Sequence, residues 1–276
     1  MSRSSGTPVA GAREEAPGAP APFTTDARRR LQLALAALWL LDALLQVQPV
    51  MFTPSFATEM LAPTATGNPG WIAASILWAS RLVEHAPALL NAGFAGLQLA
   101  IGLGIAWRRS VRPALAVSVV WSLLVWWFGE GLGGLLTGGR DAMAGAPGAV
   151  LLYAVLAVLL WPTAKSTAGS FVAAQPVGPV AARVVWVVLW GGLVLLSHAT
   201  PLGIAGSVVL AIVAIAVFLP PALMRVGIVI ALVASAWIWV VGQSFGAVFS
   251  GDATDPNSGP LLALIALAYW PSRGES

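Results

Sequence analysis

The sequence predicts an all-α fold, a polytopic bundle of about eight transmembrane helices built as two tandem parallel repeats of four helices. Three observations support this prediction: an apolar composition, long apolar runs separated by arginines, and a glycine-rich turn that occurs twice. Of the 276 residues, 58% are hydrophobic and 9% are charged, and the mean hydropathy is +0.84. This composition leaves too little polar surface for a water-soluble domain, so we expect a membrane protein in contact with the lipid bilayer.

The apolar runs follow a polar start. Residues 1–27 are mostly Ser, Gly, Pro and Ala with scattered charges, and they predict a disordered cytoplasmic tail. The runs long enough to cross a bilayer are 31–50, 87–107, 113–136, 147–162, 182–199, 202–219, 222–249 and 259–271. Seven spans is the rival count, because the fourth, sixth and eighth runs are short.

The basic residues predict the orientation. Twelve of the fourteen fall on one side of the predicted membrane: Arg3, Arg13, Arg28, Arg29, Arg30, Arg108, Arg109, Arg112, Lys165, Arg183, Arg225 and Arg273. Only Arg81 and Arg140 fall on the other side. The positive-inside rule therefore predicts a multi-pass protein of the bacterial plasma membrane with both termini in the cytoplasm. Because the arginines lie between apolar runs, we expect no nucleic-acid partner.

The glycine-rich turn predicts an internal duplication. The stretch WWFGEGLGGLLTGGRDAMAGAPG (126–148) has a near copy in WVVGQSFGAVFSGDATDPNSGP (239–260), and each leads into an apolar run that ends in Trp-Pro. At one constant offset Gly129, Gly133, Thr137 and Gly138 match Gly242, Gly246, Ser250 and Gly251. We expect units at 28–162 and 182–271, a cytoplasmic linker at 163–181 and a tail at 272–276. Four helices per unit make the two units parallel.

Each unit also resembles, in topology alone, the DoxX/MauE-like group of four-helix membrane proteins. The resemblance rests on LLDALLQVQPVMF (40–52), the amphipathic stretch 54–85 and LQLAIGLGIAWRR (97–109). Some members of that group are tied to quinone or thiol redox chemistry, and the absence of cysteine here puts the thiol role out of reach. The glycine-rich turns more loosely resemble those of uncharacterised actinobacterial integral membrane proteins, which implies no activity.

Polar side chains within the predicted spans gather in the first unit. Asp42 lies about 18 Å along its helix from Arg30, which places it in the outer half of the bilayer. The candidate intramembrane polar site consists of Asp42, Gln46, Asn91, Gln98 and Glu130. Ionisable groups at this depth are costly and usually face a bundle interior or a wet cavity, so we expect an outward-facing acidic cavity. In the second unit, Gln243 stands where Glu130 stood, and the counterpart of Asp42 is Leu193.

Structural roles compete with this reading. Gly129 and Gly133, like Gly242 and Gly246, have the small-xxx-small spacing typical of helix packing. Glu130 could end its helix among lipid headgroups, and Asp42 could accept a structural hydrogen bond from Asn91 or Gln98.

The outer polar residues suggest further alternatives. Trp71, Trp78 and Leu82 share one helical face, so this segment is predicted to lie on the membrane surface. Its Arg81, Glu84 and His85 fit a solvated rim. His85 and His198 could form a haem pair. The stretch DATDPNSGP (252–260) has some calcium-loop character, but a rigid turn that caps the last helix fits better. No metal site or resident cofactor is expected, with quinone and haem left open.

These features favour a small-solute or ion-coupled transporter with its cavity in the first unit. The alternatives are a DoxX-like redox or quinone-binding subunit and a non-catalytic assembly partner in contact with another membrane protein or a second copy. An enzymatic role is not favoured, because the usual nucleophiles and metal clusters are missing from the sequence.

Overall fold

The computed structural model describes residues 22–138, 141–163, 171–197 and 201–271, and every regular element in these ranges is helical. The all-α prediction is therefore confirmed for these residues. The α-helices are α1 Pro22–Leu45, α2 Gly70–His85, α3 Pro87–Ala106, α4 Val111–Phe128, α5 Ala149–Leu159, α6 Ala174–Val177, α7 Pro179–Leu196, α8 Pro201–Ala216, α9 Pro221–Trp237 and α10 Ser258–Ala268. Short 3₁₀ and π turns lie between α1 and α2, and a π turn, Ile238–Gly242, extends α9.

Helices pack in the same order in the two halves of the chain. In the first half α1 packs against α3, α3 against α4, and α4 against α5. In the second half α7 packs against α8, α8 against α9, and α9 against α10. The halves meet where α5 packs against α10, with a smaller contact between α1 and α10. The last helix of each half therefore lies at the centre of the bundle.

Each of the eight predicted spans overlaps a helix, and four helices among the described residues are long and apolar enough to cross a membrane. They are Pro87–Ala106, Val111–Phe128, Pro179–Leu196 and Pro221–Gly242. The central helices α5 and α10 have 11 residues each. Such a helix is about 16 Å long, roughly half of a hydrocarbon core. Three predicted helix ends are at least five residues too late: α1 ends at Leu45 rather than 50, α4 at Phe128 rather than 136, and the α9 segment at Gly242 rather than 249.

Arginines close one end of the bundle. Arg29 donates to the carbonyls of Ile105 (2.9 Å) and Ala106, which end α3 and lack helical partners. Arg28 donates to the Thr163 carbonyl (3.5 Å) beyond the end of α5, and Arg112 to that of Pro162 (3.4 Å). We call this the arginine end, and the end with the glycine-rich turns the turn end.

The predicted linker is partly packed into the protein. Phe171 and the three residues after it are buried, and the Phe171 ring stacks on Tyr269 with 5.0 Å between centroids. Ala173 N–H donates to the Ala268 carbonyl (2.9 Å), and Tyr269 Oη donates to that of Ala182 (2.6 Å). These contacts fix the start of α7 against the end of α10. Residues 164–170, 272–276 and 1–21 lie outside the described ranges.

The segment between α1 and α3 covers one side of the bundle at the turn end. Helix α2 buries Ile72, Ile76, Ser80 and Val83, and it packs on the preceding 3₁₀ and π turns and on α4. Its opposite face exposes Trp71, Trp78 and Leu82, as the spacing predicts. Arg81, Glu84 and His85 are exposed as well.

Candidate functional site

A cavity of about 450 Å³ lies at the turn end, between α1, α3 and α4. The segment between α1 and α3 contributes Phe56, Met60 and Leu82 to the cavity wall. The acidic residues that line it are Asp42, Glu130 and Asp255, and no Lys, Arg or His is found among its described lining residues. The cavity is therefore an acidic chamber with largely apolar walls.

Asp42 is the most deeply buried of these acids. It lies on α1, three residues after Trp39 and one turn before Gln46, and all three side chains line the cavity. The side chain of Asp42 is only 2% exposed. Its Oδ1 meets no hydrogen-bond donor among the described residues, although the buried phenol of Tyr153 lies close enough to interact with the carboxyl. Neither Asn91 nor Gln98 donates a hydrogen bond to Asp42 Oδ1, so the structural bond that the sequence suggested for this oxygen is not formed.

Asn91 does not line the cavity, but it is hydrogen-bonded to Gln46, which does. Gln46 Nε2 donates to Asn91 Oδ1 (2.5 Å), and Asn91 Nδ2 donates to the Gln46 backbone carbonyl (2.8 Å). This pair of bonds joins the end of α1 to the first turns of α3. Asn91 is fully buried, so it acts on the site by fixing the position of Gln46.

Gln98 and Trp121 face the cavity from α3 and α4. Gln98 is 9% exposed, and its Oε1 has no hydrogen-bond partner among the described residues. The indole Nε1 of Trp121 is also buried and has no hydrogen-bond partner among the described residues. The Trp121 ring packs on Phe94, with 5.3 Å between centroids. This wall therefore combines aromatic faces with unsatisfied polar atoms.

Glu130 lies in the turn after α4, whereas the predicted span 113–136 places it inside a helix. Its Oε1 accepts a hydrogen bond from Val150 N–H (3.3 Å) at the start of α5. Gly148 lets the carboxyl come this close, because a Cβ there would overlap Glu130 Oε2. Glu130 is half-buried and lines the cavity beside Gly129.

Asp255 is the residue of this site that the sequence did not indicate. It belongs to the second half, in the loop before α10, yet it lines the first-half cavity together with Thr254. It lies close enough to Asp42 for the two charges to repel. Burial raises the pKa of the Asp255 carboxyl, and the hydrogen bonds from Asn257 N–H and Thr254 Oγ1 oppose this shift.

Two bonds hold the Asp255 loop in place. Trp239 Nε1 donates to the Pro256 carbonyl (2.8 Å), and Gln48 Nε2 donates to the Ala253 carbonyl (2.9 Å). Asn257 Oδ1 accepts from Ser258 N–H and caps α10, so this stretch is the helix-capping turn that its sequence favours. No cluster of three His, Cys, Asp or Glu suited to a metal occurs within the described ranges.

The two glycine-rich turns share their local geometry. Trp126 Nε1 donates to the Pro147 carbonyl (2.8 Å), as Trp239 does to that of Pro256. Four consecutive residues have positive φ in each turn, Gly131–Gly134 in the first and Ser244–Ala247 in the second. The amide N–H of Glu130 bonds to the Val125 carbonyl five residues back (2.9 Å), and that of Gln243 to the Ile238 carbonyl (2.9 Å).

Two of the four glycines lie in the turns and not on a helix face. Gly133 and Gly246 lie beyond the helix ends, with φ of +62° and +69°. A Cβ would overlap the backbone of Pro147 at Gly133 and of Pro256 at Gly246. A Cβ on Gly129 would press on the Val125 carbonyl within its own helix, and one on Gly242 on the Met143 backbone.

Gln243 is held by hydrogen bonds that use both ends of its amide. Its Nε2 donates to Ser258 Oγ (2.6 Å) and to the Ala142 carbonyl (3.4 Å), and its Oε1 accepts from Gly259 N–H (3.1 Å). It does not line the first cavity. The side chain therefore ties the second turn to α10 and to the first-half loop.

A second cavity of about 610 Å³ lies in the other half, between α8 and α9. Asp141 is its only acidic residue among those described, and the first-half loop 141–143 forms part of its wall. Each cavity is thus completed by a loop from the other half. The proposed haem pair remains untested, because His198 lies outside the described ranges and His85 is exposed on α2.

Comparison of the chain with protein-family models, curated proteins and solved structures finds no match.

Proposed function

We propose that this chain is an integral membrane protein of the bacterial plasma membrane that moves a small solute coupled to a proton or another cation. The observation that carries the proposal is the first-half cavity, which Asp42, Glu130 and Asp255 line without a basic residue among its described neighbours. The four apolar helices long enough to span a bilayer support the membrane setting.

The chemistry of buried carboxylates supports the coupling. An ionised carboxylate in a low-dielectric site is costly unless a positive charge compensates it. Asp42 is close enough to Glu130 and Asp255 for mutual repulsion, and each additional charge raises the cost of ionising the others. A cation or protons must therefore occupy the cavity in its stable states. Release of that positive charge is the event to which solute movement would be coupled.

The proposal includes eight spans in two tandem parallel repeats with both termini in the cytoplasm. The shared packing order of α1, α3, α4 and α5 with α7, α8, α9 and α10 supports the duplication, as does the matched geometry of the two turns. On this proposal the short helices α5 and α10 cross only with the help of their flanking turns. The arginine end faces the cytoplasm, and the cavity opens outward.

The two repeats have diverged in function. Asp42 has buried Leu193 as its proposed counterpart, and Gln243 replaces Glu130. The first repeat supplies two of the three acids of the cavity, Asp42 and Glu130, whereas the second supplies Asp255 and scaffold.

Uptake into proteoliposomes tests the proposal. Labelled amines, amino acids, sugars and carboxylates are offered with a proton gradient imposed in either direction and again after the gradient is collapsed. We expect at least one class to accumulate under the gradient with the wild-type protein and not with Asp42→Asn. Asp141→Asn, in the second cavity, is the matched control and should transport normally. Absence of gradient-dependent accumulation for every class would contradict transport.

A further inference from the structure

We propose that the solute of the first-half cavity is an organic ammonium ion with an apolar body, whose N–H groups bind Asp42 and Gln98. This inference rests on the proposed function for its setting, but it makes a separate claim about what binds. The size, the wall chemistry and the unpaired acceptors of the cavity carry it.

The volume of the cavity suits an organic molecule. At about 450 Å³ it lies within the roughly 300–1,000 Å³ that is usual for small-molecule sites. A bare metal ion needs a tight shell of oxygen ligands instead, and no such cluster occurs in the described part of the chain. Binding of protons alone does not account for a cavity of this size.

The walls suit a cation that carries apolar groups. Aromatic rings from four parts of the chain line the chamber: Trp39 of α1, Phe56 of the segment between α1 and α3, Phe94 of α3, and Trp121 and Phe128 of α4. The faces of such rings attract ammonium groups, most strongly in sites shielded from water. Leucines and Met60 fill the remaining wall and match a hydrocarbon body.

The unpaired acceptors indicate an ammonium that retains N–H groups. Asp42 Oδ1 and Gln98 Oε1 are buried and belong to cavity-lining residues, and neither accepts a well-formed hydrogen bond from the described residues, although the Tyr153 phenol lies beside the Asp42 carboxyl. A buried acceptor that is left without a donor destabilises the folded protein. A primary ammonium can donate up to three hydrogen bonds, so it can satisfy both oxygens and also compensate the charge of the carboxylate.

Asp255 extends the preference for cations across the whole chamber. It faces Asp42 from the second half, and Glu130 adds a third carboxyl. An anionic solute would be repelled by these groups when they are ionised, and a neutral solute would compensate none of their charge. Selection therefore comes from charge first and from the shape of the apolar body second.

Equilibrium dialysis with labelled 2-phenylethylamine tests the inference on the full chain in detergent, at about pH 7.5 where the amine is protonated. Two matched probes accompany it: 2-phenylethanol, which has the same body without charge, and tetramethylammonium, which has charge without N–H groups. We expect saturable binding of the amine and binding at least about 10-fold weaker for each of the other two.

Variants locate the binding. Asp42→Asn and Gln98→Leu should each weaken amine binding by about 10-fold, and Asp141→Asn in the second cavity should leave it within about 2-fold of the wild type. Equal binding of the amine and the alcohol, or unchanged amine binding in folded Asp42→Asn, would overturn the inference. The comparison of probes needs only the wild-type protein, so it tests the inference even where a variant fails to fold.

The dialysis and uptake experiments separate the two proposals. Gradient-driven uptake of a different solute class, without amine binding, would overturn the ammonium assignment and leave coupled transport standing. Selective amine binding without uptake of any class would support the site and contradict transport.

Discussion

Asp42 and Asp255 come from opposite halves of the chain and line the same cavity. Their depths differ, because Asp42 lies on a helix inside the bundle and Asp255 on a loop at its turn end. The sequence could indicate Asp42, since an acid within an apolar run stands out. It could not indicate Asp255, because an acid in a polar turn looks solvated until the packing of the two halves is known.

Asp255 gives a prediction about pH. Its pKa is raised in the folded protein, so its contribution to stability is fully present below the unfolded pKa of about 3.9 and is lost as pH rises through the folded pKa. Asp255→Asn should therefore reduce the fall in Tm as pH rises from about 4. Thermal unfolding in detergent across this range measures the effect.

Asp252 provides the control for that measurement. It is exposed in the same loop, and Asp252→Asn should leave the slope of Tm against pH close to that of the wild type. A slope that Asp255→Asn does not change would show that the Asp255 carboxyl is not desolvated as described.

At the scale of elements, the sequence predicted where helices occur better than where they end. The apolar runs continue into the glycine-rich turns, so hydropathy alone extended the third span to 136 and placed Glu130 inside it. The runs of positive φ at Gly131–Gly134 and Ser244–Ala247 end the helices earlier. This backbone conformation is hard to predict from the sequence, because the turns also contain apolar residues such as Leu132 and Phe245.

Gly133→Ala tests the role of the first turn. The new Cβ would overlap the Pro147 carbonyl, in addition to the cost of positive φ for a residue with a side chain. Gly138→Ala is the matched control, because Gly138 has φ of +68° but open space around a Cβ. We expect Gly138→Ala to cost about 1 kcal/mol and Gly133→Ala clearly more, measured as Tm and as the yield of monodisperse protein. Equal effects would mean that close packing on Pro147 contributes little.

At the scale of the whole molecule, the predicted all-α bundle is confirmed for the described residues, and the eight-span count remains a proposal. Length and composition identify four helices able to span a bilayer among the described residues, and α5 and α10 are apolar but shorter. Those helices are buried at the centre of the bundle, where the packing of neighbouring helices replaces contact with lipid. The hydropathy of a helix does not show whether it packs among other helices or contacts lipid.

Single cysteines test the proposed orientation, since the natural chain has none. Ala65 and Ala253 are buried, so their exposed neighbours Thr66 and Asp252 are the better positions for a label. Thr66→Cys and Asp252→Cys should react with an impermeant maleimide on intact cells, whereas exposed Arg109→Cys should react only after permeabilisation. Labelling of only one of the two outer positions would contradict two repeats of four spans each.

The central claim is that Glu130 of the first half belongs to the transport site, whereas the matched Gln243 of the second half is scaffold. Glu130 and Gln243 test it most directly, because they occupy matched turns and differ in charge. The measurement is gradient-driven uptake per folded protein, with Tm recorded for the same samples. Glu130→Gln should fold as well as the wild type and lose uptake. Gln243→Glu loses the donors to Ser258 and Ala142, so it should be destabilised by about 1–3 kcal/mol and retain uptake per folded molecule. Equal tolerance of both substitutions, in uptake and in Tm, would contradict the account.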